Sequence, residues 1–150
     1  DVQSGATFDF AGNGEDMGFI RGAGTINMGG TNQAVRVGAA GFYAFAGQYS
    51  GATSNLIVRG AAHTLYLSGG NSSYTGNTAV EIGTLIVAAS APAAGGTNGS
   101  LGNAGSEVLL GHTTTSAGTY NAALLLDVAG TTVGRPLRLR TNTSAGVTTN

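Results

Sequence analysis

Glu15 and Asp16 are the only adjacent acids in the 150-residue chain. A polysaccharide lyase or hydrolase needs clustered carboxylates with a cation close by. Neighbours on a strand leave by opposite faces, and beside Gly14 the pair is expected in a solvated turn, so the two groups do not converge on one bond. Asp9, Glu81, Glu107 and Asp127 stand alone in the sequence. His63 and His112 are the only histidines, far apart and without cysteine nearby, which argues against a metal site. Both are expected to point outward. The run Gly12-Asn13-Gly14-Glu15-Asp16 approaches a calcium-binding nonapeptide but lacks its spacing and repetition. No Gly-x-Ser-x-Gly elbow occurs, and without lysine there is no phosphate loop ending in Gly-Lys. No catalytic residue, cofactor or metal is therefore assigned, and the chain is not expected to be an enzyme.

The elements that would position any such groups are strands. Charged residues make up 9% of the chain and hydrophobic ones 41%, which excludes a disordered polyelectrolyte. The 27 glycines, spread among Thr, Asn, Ser and Val, leave no window for a long helix. Strand candidates are 7–10, 25–28, 34–37, 43–45, 56–59, 64–68, 79–82, 84–87, 107–110, 122–128, 131–133 and 137–140, most bounded by Gly, Asn or Ser-Ala. Leu137 and Leu139 alternate with Arg138 and Arg140, as Val35 and Val37 do around Arg36, so arginine is expected to mark an outer face.

The chain is organised around His63 to Val87. Two alternating runs, 64–68 and 79–87, flank a polar turn, 69–77. Leu65, Leu67, Val80, Ile82, Leu85 and Val87 fall on one face, and Tyr66, Thr84 and Ile86 on the other. One such unit cannot enclose a core; it must stack on like neighbours. Asn71, Asn77, Asn98 and Asn103 then read as turn or ladder residues bonding to the next layer.

These residues also carry a resemblance. Leu65, Leu67, Gly69, Asn71, Tyr74, Thr75, Gly76, Thr78, Val80, Gly83, Thr84, Leu85 and Val87 form a pattern similar to the autotransporter-associated β-strand repeat of bacterial passenger regions. Weaker echoes occur at 5–10, 22–26, 45–47 and 100–104. The family's usual Lys-x-Gly step is replaced by Val58-Arg59-Gly60-Ala61-Ala62-His63, which keeps a cation at Arg59. The resemblance implies a right-handed parallel β-helix exported to the cell surface, with no catalytic site in the repeat itself.

An all-β chain of this kind, with roughly 20 to 25 residues per coil, makes about six or seven coils and a rod ~30 Å high. The expectation is a single β-solenoid module over 1–150 with no terminal caps. It looks like a segment of a longer or processed product, starting as it does at Asp1. Its open end coils would be continued covalently or by copies stacking as a homopolymer. The expected role is structural, in a bacterial cell-surface or extracellular fibre. Rival readings are an adhesin that touches surface glycans through the 88–106 loop or through Tyr43, Tyr49 and Tyr66, a pectin-lyase-type enzyme, and a small outer-membrane barrel. The barrel lacks aromatic girdles, and its strands are short for a crossing. Net charge of −1 leaves no footprint for nucleic acid, and no apolar run is long enough for a membrane-spanning helix. The segments 88–106 and 111–120 are expected to be loops, the first projecting from the wall.

Overall fold

The computed structural model describes residues 1–30, 34–93, 95–103, 105, 107–112 and 121–140. Among them are eleven strands and no helix: β1 (Thr7–Asp9), β2 (Glu15–Met17), β3 (Thr25–Asn27), β4 (Ala34–Val37), β5 (Gly41–Phe45), β6 (Gln48–Ser50), β7 (Asn55–Leu67), β8 (Thr78–Val87), β9 (Val108–Leu110), β10 (Ala122–Leu126) and β11 (Leu137–Leu139). The chain is all-β, and the strands form parallel sheets. No helix among the described residues is long and apolar enough to cross a membrane.

One sheet runs β1-β3-β6 and the other β11-β9-β8-β7-β4-β2, with β5 on the second half of β7 and β10 on the second half of β8. Every strand pairing is parallel, so like positions pile up in files. Val35 lies opposite Leu56, Leu56 opposite Thr78, Thr78 opposite Val108, and Val108 opposite Leu137. A second file runs Met17, Val37, Val58, Val80, Leu110, Leu139. On the other half of the long strands, Phe45, Leu67, Val87 and Leu126 form a third. Period-two alternation turns these files toward one apolar cluster, to which the smaller sheet adds Ile26 and Tyr49.

Several expectations change. Residues 56–59 and 64–68 fall within one strand, β7, and 79–82 and 84–87 within another, β8. The register between the two strands slips midway: Val58 faces Val80, Arg59 faces Ile82, and pairing resumes with Thr64 opposite Thr84. That extra residue takes Ile82 off the buried face and leaves it half-exposed. Glu15 and Asp16 belong to a strand paired with β4 rather than to a turn, and β6 was not anticipated. Thr131 to Val133 forms no strand; Val133 makes a single bridge to Ala91.

The 88–106 segment does not simply project. Ala91, Ser100 and Leu101 are buried, Gly99 bridges Ser72, and the Asn103 N–H donates to the Tyr74 carbonyl at 2.7 Å. Residues 94, 104 and 106 of that loop, and 113–120 of the second expected loop, lie outside the described residues.

Candidate functional site

The candidate site is the set of contacts between neighbouring parallel strands and the segments that flank them. Gly69 shows why its position tolerates no side chain. A Cβ there would fall on the Gly47 carbonyl, and one at Gly47 would fall on that of Gly24, so three glycines let neighbouring backbones approach closely. Gly83 likewise meets the Gly60 carbonyl and adds a backbone φ of 102°. Gly76 packs against the Ser54 carbonyl in the same way.

Beside the first glycine file runs a line of amides. Gln48 Nε2 donates to Thr25 Oγ1 at 3.1 Å, Asn71 Nδ2 to Gln48 Oε1 at 3.3 Å, Asn98 Nδ2 to Asn71 Oδ1 at 3.2 Å, and Asn103 Nδ2 to Asn98 Oδ1 at 3.1 Å. A second line forms where the Asn77 N–H donates to Asn55 Oδ1 at 2.8 Å and the Glu107 N–H to Asn77 Oδ1 at 3.2 Å. Asn71, Asn77 and Asn98 thus bond a distant segment as expected, whereas the Asn103 side chain bonds Asn98 and the Gly96 N–H within its own loop. Thr75 accepts from the Thr53 N–H at 2.7 Å. Apart from the Asn103–Asn98 bond, these contacts satisfy polar groups of segments 22 to 30 residues apart.

The apolar signature residues complete the contact. Leu65, Tyr74, Thr78, Val80, Leu85 and Val87 are fully buried, and Leu67 nearly so. Thr84 lies opposite Thr64 on the outer side. Tyr74 and Thr78 share a buried hydroxyl hydrogen bond of 2.5 Å. Burial pushes the Tyr74 phenol up to about 12, although Thr78 and Arg135 pull it down. Burial, with Tyr74 beside it, also raises the Tyr49 phenol.

One charged cluster lies outside the signature. The Glu81 carboxylate, only 6% exposed, accepts from Arg59 Nε and has His112 Nε2 at 3.4 Å and Arg140 Nη1 at 3.7 Å. This hydrogen bond is the main cause of the raised Arg59 guanidinium pKa. Glu81 is therefore not solitary, and a signal existed in the sequence: Arg59 precedes it by 22 residues, as Arg36 follows Asp16 by 20, at 3.1 Å. The cluster holds a single carboxylate, whereas glycoside cleavage uses two. No group of three His, Cys, Asp or Glu that could hold a metal occurs among the described residues.

His63 departs from expectation. It is 1% exposed, its Nδ1 donates to the Ala39 carbonyl at 2.6 Å, and its ring stacks on Tyr43, which stacks on Phe19. Arg135 also departs from the outer-face rule. Burial depresses its guanidinium pKa, and Nη1 donates to the carbonyls of Leu101 and Gly102, fastening the 88–106 segment. Comparison with protein-family models, with curated proteins and with solved structures finds no match for this chain.

Proposed function

We propose that residues 1–150 are a single structural module, a right-handed parallel β-helix segment of an exported bacterial cell-surface or extracellular fibre that extends lengthwise by stacking. The observation that carries this reading is a step of 20 to 23 residues between paired positions from β2 to β8, lengthening to 29 or more beyond it. Asn71, Thr75 and Asn77 each bond a residue 22 or 23 positions earlier, and Leu65, Gly69, Gly76 and Val80 meet Tyr43, Gly47, Ser54 and Val58. A near-regular step with parallel pairing is how a solenoid builds its wall, each layer covering the apolar face of the last. The role is mechanical: backbone hydrogen bonds lie along the long axis, and apolar files exclude water beneath them. The resemblance to passenger repeats supports export.

Electron microscopy and diffraction from aligned, purified chain test this reading. Rods with a repeat of ~4.8 Å along their length are expected. Round particles without axial order would overturn it.

A second reading, as an adhesin segment, draws on the outer aromatics. Phe42 is 62% exposed and lies beside Tyr66, whose hydroxyl donates to Asp127 at 2.9 Å. Tyr49 is fully buried and drops out of any glycan contact. Glycan binding that disappears in Phe42→Ala and Tyr66→Ala would favour this reading.

A further inference from the structure

Charge is distributed unevenly along the stack. Asp1, Asp9, Glu15 and Asp16 precede residue 20, whereas Arg135, Arg138 and Arg140 occupy the last described stretch. The register gives this asymmetry a geometry. Asp16 lies opposite Arg36, and the same file, on the face away from the main apolar cluster, continues through Ile57 and the covered Ala79 and Leu109 to Arg138. Among the described residues, β2 has β4 as its one strand neighbour and β11 has β9. The apolar residues on these edges belong to buried files yet are open: Leu137 is 55% exposed and Leu139 58%, and Met17 is only partly covered.

A β2 edge placed on a β11 edge in the register used throughout the sheet would set Asp16 against Arg138 and Met17 against Leu139. It would also set Glu15 against Leu137. Glu15 occupies the file of Val35, Leu56, Thr78, Val108 and Leu137, so docking would carry its carboxylate toward the apolar interior. The charged groups facing it would be Asp16 on its own strand, Arg36 on β4, and Glu107, Arg138 and Arg140 around the partner's edge. Arg36 already bonds Asp16. An inward-pointing charge on an edge strand is a recognised brake on edge-to-edge pairing.

We propose that a second copy of this chain docks its β2 edge on the β11 edge with Asp16 against Arg138, and that Glu15 keeps this association weak until its charge is removed. The inference rests on the lengthwise reading above and names the regulation of the same surface. The outer file selects the partner and the register, and the inner file sets the threshold.

Sedimentation velocity over a dilution series of the full 150-residue chain tests it. Glu15→Leu is expected to associate at a concentration at least ~10-fold lower than the parent, with Glu15→Gln in between. In the Glu15→Leu background, Arg138→Asp should abolish the gain and Arg138→Lys should keep most of it. Circular dichroism melts matching the parent show that each variant is folded. A parent that lengthens with Glu15→Leu indistinguishable from it overturns the brake and leaves the fibre reading standing. Assembly indifferent to Arg138→Asp overturns the register. Monomers in every variant overturn the inference, while the fibre reading stands or falls separately on the axial repeat of the aligned chain.

Discussion

The central strands β7 and β8 and the outlying strands β10 and β11 are made of the same residue types in the same files, yet they differ in burial. Leu67 is 2% exposed and Leu126, in its file, is 51%; Leu56 is fully buried and Leu137, in its file, is 55% exposed. Side-chain chemistry cannot account for this. A residue in the middle of a file is covered from both sides, one at its end from one. Burial here depends on the number of layers around a residue, and the stabilisation per leucine follows that number.

The largest expected effect comes from the close-packed glycines. At Gly83 a methyl group would meet the Gly60 and His63 carbonyls with φ at 102°, whereas at Gly130 φ is 85° and nothing lies within 4 Å. Gly83→Ala is expected to cost more than ~4 kcal/mol and to abolish cooperative unfolding, and Gly130→Ala only ~1 to 2 kcal/mol. Urea melts of the two would break the comparison if they agreed.

Next come the files. Leu67→Ala should destabilise by ~2 to 5 kcal/mol and Leu126→Ala by under ~1 kcal/mol in dilute monomer, since the second is already half in water. A similar loss at both would mean that another surface covers the β10 edge.

Alkaline titration separates two classes of tyrosine. The unfolded chain releases the Tyr74 proton near 10.0, while the native state holds it to about 12. Stability is therefore full below pH 10.0 and falls as pH rises through that window, by ~2 to 3 kcal/mol from this group. Tyr66, half-buried and with its phenol raised by the hydrogen bond to Asp127, should still give its phenolate absorbance without unfolding; Tyr74 should give it only with loss of the sheet signal.

The smallest contrast is electrostatic. Glu81→Gln is expected to cost ~2 kcal/mol, below the ~3 to 5 kcal/mol of a wholly buried pair because the Arg59 side chain is 41% exposed. Asp16→Asn, at an exposed pair, should cost ~0.5 kcal/mol and fade with salt. Thermal melts at low and high salt would separate the two.

Much of the contact between paired segments was legible because its signals are local. The Leu65 and Leu67 alternation, the glycines at 69, 76 and 83 and the asparagines at 71, 77 and 98 behave as their residue types suggest, while Asn103 bonds within its own loop. What escaped was set by partners at a distance. Edge strand β2 was hidden by its acids, since nothing near Glu15 announces that Val35 lies opposite. His63 was read as outward because its carbonyl partner at Ala39 is 24 residues away.

The sequence by itself determined the all-β class and, within uninterrupted runs such as 64–67 and 84–87, which neighbours share a face, because strand alternation repeats every two residues and glycine, asparagine and β-branched side chains act over a few bonds. Only the tertiary structure decided the slip between Val58 and Arg59, the burial of Leu101 under Arg135, and the gathering of Arg59, His112 and Arg140 on Glu81. Those depend on register between segments 22 to 34 residues apart and more, and a shift of one residue in that register would turn every side chain of a strand to the opposite face.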